Sequence, residues 1–489
     1  MVFRFSHNIN KINHQNTMHI GKKTKIVATI GPATESQEQL EKMLKAGMNV
    51  MRMNFSHGDF AEHQHKFDNL KKAMKKTGIP AAILQDLSGP KFRIGAFYQE
   101  RVNLKAGDFI TLTPDNIVGD EKRVSINYPT LHKELKVGNM IMVDDGKKKF
   151  EVVEIKGTDI KCKIIVGGET KGKRGVNLPG AYLKVSSLTD KDKKDVIFGI
   201  KNKADIIAFS FVRTPDDVKE LRDILNKAKS KALICSKIET QEAVEHIDDI
   251  IELSDMIMVA RGDLAVEIGY ENVPIVQKMM IEKCKAAGKP VILATQVLES
   301  MISSPVPTRA EVSDIANGML DGADAIMLSE ETTLGKFPID AVEMITRVAL
   351  KVENDPYHKF MVTGDRGDHE NVSEAIASAA AKIADRIEAT AIVAMTDFGH
   401  AARFVSRHHP AQPIIVMTPN QTTFNQVCAL YGCYPVMVPK MKNFEEALKM
   451  VKPILQKMKT IKKGDEIVVL SGVPFAKTNE TNLVSVEII

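Results

Sequence analysis

Short apolar, β-branched runs alternate with amphipathic segments over residues 24–95 and again over 187–350. That alternation predicts βα units around a parallel sheet. Eight runs are present, at residues 25–30, 50–53, 82–85, 206–209, 233–236, 256–259, 291–294 and 325–328. The intervening segments carry helix-start signals: Thr34 precedes apolar positions at helical spacing, and Thr214, Pro215, Asp216 and Asp217 open a helix at Pro215. Eight strand–helix repeats predict a (β/α)8 TIM barrel built from residues 24–95 and 187–353.

The rhythm breaks once, after the third run. Residues 96–186 alternate short strand-like pieces (102–104, 109–112, 140–143, 150–155 and 160–165) with Gly, Asp and Lys turns, which predicts a small inserted β-barrel domain. Beyond residue 353 a new series starts: helix 373–388, strand 391–396, helix 399–407, strand 413–417, helix 424–431, strand 436–438, helix 444–457 and a final strand pair at 466–470 and 483–488. Residues 354–489 therefore predict a C-terminal open α/β domain.

The composition, 44% hydrophobic and 26% charged with no Trp, is that of a globular protein. A net charge of +5 over 489 residues is too small to point to nucleic acid or a membrane surface. No apolar run approaches the ~20 residues that a spanning helix requires. The five cysteines are scattered without a close pair, so free thiols and a cytoplasmic location are expected. Residues 1–23 contain no acid and lack an apolar signal core; a disordered extension is the favoured reading, with an organelle transit peptide as the alternative.

A TIM barrel carries its active site at the C-terminal ends of the strands, and here those ends are polar. Run two leads into Arg52, Asn54, Ser56 and His57, and run three into Asp86, Leu87, Ser88, Lys91 and Arg93. Run four gives Ser210 and Arg213, run five Lys237 and Glu239, run six Gly262 and Asp263, run seven Thr295, and run eight Ser329 and Glu331. Strand periodicity puts Lys237 and Glu239 on one face. With Asp263 they offer two hard oxygen ligands, a set suited to Mg²⁺ with open positions for water and substrate. Arg52 and Lys237 supply the cations that a transferring phosphoryl group needs. Each feature alone has a bland reading: a Lys-x-Glu pair is usually a structural ion pair, and a His beside Gly is usually a turn residue. Their convergence at seven of eight run ends favours an active site.

At these residues the chain resembles the pyruvate kinase family from Thr24 to its end. The stretches TKIVATIGPAT, MRMNFSHG, SGPKFRIG, SKIET, ARGDLAVEI, the long run from ATQVLES to LGKFP, and TNLVSVEI carry the resemblance. It implies phosphoryl transfer from phosphoenolpyruvate to ADP, giving pyruvate and ATP. It also implies Glu239 and Asp263 as ligands of Mg²⁺ or Mn²⁺, with Lys237 and Arg52 on the phosphoryl group. Gly262, Asp263 and Thr295 would hold the substrate carboxylate, and Asn54, His57, Arg93 and Lys191 the nucleotide. Thr295, Ser329 and Glu331 match the proton-delivery network. The inserted domain resembles the family's lid, with Asp144 and Asp145 either clamping its closed form or serving as a plain turn. A homotetramer is expected on the same ground.

Two departures from the family pattern carry expectations of their own. The commoner form reads Asp-Thr-Lys-Gly-Pro-Glu after strand three and binds K⁺ through groups matching Asn54, Ser56, Asp86 and Leu87. Here Leu87 replaces the threonine and Lys91 the acid, so K⁺ independence is expected, with the Lys91 ammonium in the ion's place. Relatives activated by fructose 1,6-bisphosphate carry Thr-x-Ser-Gly-x-Ser in the last domain. Phe398 and Ala401 stand at both serine positions. A different phosphorylated effector using Thr396, His400 and Arg403 is the alternative. The rival functions are another Mg²⁺-dependent barrel acting on a small oxoacid and an inactive scaffold on the same fold; the intact Arg52, Lys237, Glu239, Asp263 and Thr295 disfavour both.

Overall fold

The computed structural model describes residues 21–362, 371–458, 461–474 and 480–489. Eight parallel strands, Lys25–Thr29, Val50–Asn54, Ala82–Asp86, Ile206–Val212, Leu233–Ile238, Met256–Ala260, Val291–Ala294 and Ala325–Leu328, close into a barrel, the first pairing with both the second and the eighth. They are buried almost throughout, which is why they read as continuous apolar runs and not as alternation. Val27, Leu84, Ala208 and Met258 fill the interior, while a larger core lies between the strands and the surrounding helices.

Helix Pro215–Lys227 starts where expected, with a reciprocal capping box between Thr214 and Asp217. The Thr34 signal was misread. The first helix runs Gln37–Ala46 and is capped by Ser36, whose side chain accepts from the Gln39 amide. Thr34 is fully buried and donates to the Thr332 carbonyl at 2.6 Å, tying the loop after strand one to the end of strand eight.

After strand three the chain leaves the barrel for a six-stranded sheet and a two-stranded sheet around their own core, which includes Ile110, Ile141, Phe150 and Ile164. Three short strands here, Arg123–Ser125, Gly168–Lys171 and Val176–Asn177, go unseen in the sequence because they are brief and mostly polar, the last two also bordered by glycine. The chain re-enters the barrel through helix Asp190–Asn202. Arg213 fastens that return: its guanidinium donates to the carbonyls of Leu183 (2.5 Å) and Val185.

The C-terminal unit is a five-stranded sheet, Cys433–Met437, Ile414–Thr418, Ala391–Met395, Glu466–Ser471 and Leu483–Ile488 in spatial order, the last strand antiparallel, with apolar clusters on both faces. The helix expected at 424–431 is displaced. An α-helix spans Gln421–Gln426, because Asn420 caps it from the side chain, and a 3₁₀ turn follows at Val427–Ala429. Cys428 and Ala429 pack into the barrel-interior cluster, so the C-terminal unit closes the barrel base. Of the expected N-terminal extension, residues 1–20 lie outside the described residues. Lys22 and Lys23 belong to the fold: both are buried, and the amides of Lys23 and Thr24 donate to Glu353 at 2.7 and 2.6 Å. No helix among the described residues is long and apolar enough to cross a membrane.

Candidate active site

At the barrel mouth one carboxylate serves two cations. Asp86, 1% exposed at the end of strand three, accepts from Arg52 Nε at 2.7 Å and from Lys237 Nζ at 3.2 Å. Burial disfavours its charged form, yet Lys237 and Arg52 together hold the carboxyl below its ordinary range. Arg52 is fixed further by Thr29 Oγ1 at 2.8 Å. The Lys237 ammonium also donates to Ser210 Oγ at 2.7 Å and pairs with Glu239 Oε1 at 3.0 Å. Burial works against its charge, but Asp86 and Glu239 outweigh that and raise it, so Lys237 is a fixed cation.

Glu239 is buried, and its other oxygen accepts from the Phe211 amide at 2.7 Å. Phe211 adopts φ 55°, beside a register shift in strand four, and this left-handed turn aims its N–H at Glu239. Burial raises the Glu239 carboxyl, Lys237 opposes, and the nearby Asp263 adds to the rise. Two carboxylates thus repel one another beside an open cavity, an arrangement that a divalent cation would relieve. Glu239 and Asp263 could hold such a cation as two oxygen donors, with other positions left to substrate and water, a set that fits Mg²⁺.

The seventh strand ends under strain: Thr295 and Gln296 have φ of 75° and 54°. Arg261 holds this turn, donating to the carbonyls of Ala294 (3.1 Å) and Thr295 (2.9 Å). A Cβ on Gly262 would lie 2.7 Å from Thr295 Cγ2, so a larger residue there would push the Thr295 side chain aside. Glu331 is buried and accepts from the amides of Leu298 (3.0 Å) and Ser329 (2.7 Å), joining the loops after strands seven and eight.

A cavity of about 470 Å³ lies between this mouth and the inserted domain. Arg52, Asn54, Lys91, Arg93, Lys237, Glu239 and Asp263 line it from the barrel and its insert junction, with Asp144 and Asp145 opposite. Both aspartates are left-handed, φ 58° and 54°, and Arg174 pairs with Asp144 at 3.4 Å. Lys91 donates to Ser56 Oγ at 2.8 Å, and Asn54 Oδ1 accepts from the Ser56 amide. Leu87 is buried, its carbonyl taken by Ser210. His57 and Lys191 do not line the cavity: His57 is exposed, and Lys191 donates to the Phe55 carbonyl and Asp195, both at 2.6 Å, bracing the loop after strand two. Thr295, Ser329, Glu331, Gly262 and Leu87 also stand outside the lining. Far off, Thr396 Oγ1 accepts from the Gly399 amide, burial and Arg403 lower His400, and Arg403 approaches barrel Asp255 at 4.0 Å.

Ser210 and the Phe211 amide went unassigned in the sequence. Strand alternation could have flagged Ser210, a small polar residue at the end of an apolar run; nothing in the sequence marks a backbone amide.

Paired cations beside paired carboxylates, beneath an inserted domain at a barrel mouth, define a phosphoryl-transfer type of centre. Comparison with known proteins agrees. Residues 21–342 match the family model for the pyruvate kinase barrel domain and 374–487 that for its alpha/beta domain. The chain is 41% identical over 471 residues to a pyruvate kinase of Clostridium acetobutylicum, covering 96% of this chain and 100% of that one. It is 42% identical over 465 residues to that of Thermotoga maritima, covering 95% and 99%. A solved pyruvate kinase from Cryptosporidium parvum superposes with a TM-score of 0.90 at 34% identity, over 96% of each chain. The chain belongs to the pyruvate kinase family, enzymes that transfer the phosphoryl group of phosphoenolpyruvate to ADP.

If Asp86 anchors both cations, Asp86→Asn lowers kcat/KM at least about a hundredfold, ~2.7 kcal/mol in the barrier. Ser210→Ala, which removes one neutral partner of Lys237, loses less than about tenfold. Steady-state kinetics on the two variants check the order; equal losses would contradict it.

Proposed function

We propose that catalysis rests on Lys237 and Arg52 gripping the phosphoryl oxygens of phosphoenolpyruvate while Glu239 and Asp263 hold Mg²⁺ or Mn²⁺. The observation that carries this reading is the Lys237 ammonium fixed between Asp86 and Glu239 beside the cavity. When bound, the divalent ion supplies Lewis-acid polarisation of the substrate's oxygens. The amides of Gly262 and Asp263 at the start of helix Arg261–Ile268, with Thr295, take the substrate carboxylate. Asn54, His57, Arg93 and Lys191 orient the nucleotide. The bond from phosphorus to the enol oxygen breaks as the bond to the terminal phosphate oxygen of ADP forms, and the enolate left behind takes a proton on its methylene carbon. Thr295, backed by Ser329 and Glu331, stands in the relay for that proton.

The enzyme works in the cytoplasm as a homotetramer and does not need K⁺. The 2.8 Å bond from the Lys91 ammonium to Ser56 supports the last point, because Ser56 is one of the groups that would otherwise face the ion. Fructose 1,6-bisphosphate is not its activator: Phe398 is 57% exposed where a phosphate-binding hydroxyl would be needed, and Ala401 has none to offer. A different phosphorylated effector would use Thr396, His400 and Arg403.

A coupled assay with phosphoenolpyruvate and ADP tests the chemistry. Glu239→Gln and Asp263→Asn raise the metal requirement steeply, and Lys237→Met abolishes turnover while substrate binding is largely kept; near-normal turnover in Lys237→Met would sink the assignment. In buffer with a tetraalkylammonium counter-ion, wild-type activity stays within about twofold of that in roughly 100 mM K⁺, and Lys91→Glu becomes K⁺-dependent. A wild-type loss beyond roughly tenfold, about 1.4 kcal/mol, contradicts K⁺ independence. Micromolar fructose 1,6-bisphosphate leaves the saturation curve unmoved; activation would refute that part alone.

A further inference from the structure

Two adjacent residues of the inserted domain reach one face of the barrel helix Arg261–Ile268. Asn177 Nδ2 donates to Asp263 Oδ1 at 3.4 Å, and beside it burial raises the Glu267 carboxyl while the neighbouring Leu178 backbone amide opposes that rise. Asp263 and Glu267 are four residues apart, so they stand one above the other on the helix. All four residues line the cavity.

The contact has a second arm. Strand Val176–Asn177 pairs with Met140–Val143, which runs into the turn at Asp144, Asp145 and Gly146. A Cβ on Gly146 would meet both Val266 methyl groups at 3.6 Å, so the turn tip rests on the same helix. The inserted domain therefore meets this helix at Asp263, Val266 and Glu267, through the Asn177 hydrogen bond, the Leu178 amide beside Glu267 and packing from the turn of the partner strand. Among the described residues Asn177 is the side chain that donates to the Asp263 carboxylate.

We propose that Asn177 and Glu267 are positioning residues that make the inserted domain an outer layer of the metal site, so that its closure and divalent-cation binding reinforce each other. The proposal rests on the reading of Asp263 as a metal ligand. A ligating carboxylate uses its free lone pairs on an outer partner, and loss of such partners weakens metal binding by 10–100-fold. Asn177 supplies that partner only while the domain lies against the barrel. Glu267, facing the neighbouring Leu178 amide on the same helix face, is placed to set where Asn177 stands. Coupling of this kind is reciprocal: whatever closure adds to metal affinity, the metal adds to closure.

The test is Mn²⁺ binding to the full-length protein without substrates, read by electron paramagnetic resonance, on wild type, Asn177→Ala, Glu267→Ala and Asp263→Asn. Amide hydrogen exchange across residues 140–178, with and without Mn²⁺, reads closure, and thermal midpoints confirm that each variant is folded. Asn177→Ala is expected to raise the Mn²⁺ Kd about tenfold. Mn²⁺ should slow exchange at Val176, Asn177 and Leu178 in wild type and not in Glu267→Ala. A Kd within about twofold of wild type in Asn177→Ala, alongside a large loss in Asp263→Asn, would overturn this proposal and leave the metal assignment standing. An unchanged Kd in Asp263→Asn would overturn both.

Discussion

The buried Asp86 carboxylate is the constraint on which the site depends. Two cations converge on it, Arg52 from strand two and Lys237 from strand five, although these strands are not neighbours in the barrel. Without Asp86 the two would repel each other in a partly desolvated pocket. With it they become a fixed pair of cations at the edge of the cavity. Such fixed charges need little reorganisation when charge develops, which is what electrostatic preorganisation requires. The barrel supplies the rigidity, because all three residues sit at or near the ends of strands that are buried throughout.

The same mouth stores backbone strain. Phe211, Thr295 and Gln296 take left-handed conformations that side-chain-bearing residues rarely adopt. For two of them the surroundings hold the conformation: the Glu239 carboxylate accepts from the Phe211 amide, and the Arg261 guanidinium donates to the Thr295 carbonyl. Arg261 is itself held by Asp314 at 2.7 Å. Strain here turns amides and carbonyls toward charged groups that straight strands would not reach.

Much of this was legible in the sequence, and what was not has physical reasons. The barrel strands announced themselves as apolar runs because both of their faces are covered. Lys237 and Glu239 were placed together by strand periodicity, and they meet at 3.0 Å. Thr34 misled because a threonine before an amphipathic segment resembles a cap, while its hydroxyl is committed to the loop after the neighbouring eighth strand. The displaced helix near Phe424 arose because Asn420 offers an earlier cap and the barrel base draws Cys428 and Ala429 into a tighter turn. Asp86 was noted only for a monovalent-cation site, since its service to two cations is made by residues 34 and 151 positions away. Asn177 was invisible for a similar reason: it belongs to a two-residue strand whose partners lie elsewhere in the chain.

Lys91 completes the charge balance. Its ammonium lies on Ser56, and burial, then Lys237 and Arg93, lower its pKa, while Asp263 and Asp86 act in the opposite sense. The proposed K⁺ independence rests on this ammonium, which of Asn54, Ser56, Asp86 and Leu87 bonds Ser56. The most direct test is an anomalous-scattering crystal structure grown in Tl⁺, a heavy substitute for K⁺, together with Mn²⁺ and phosphoenolpyruvate. The account predicts a manganese peak between Glu239 and Asp263, no thallium peak near Ser56 and Asp86, and Lys91 still on Ser56. A thallium peak there, with Lys91 swung aside, would contradict it.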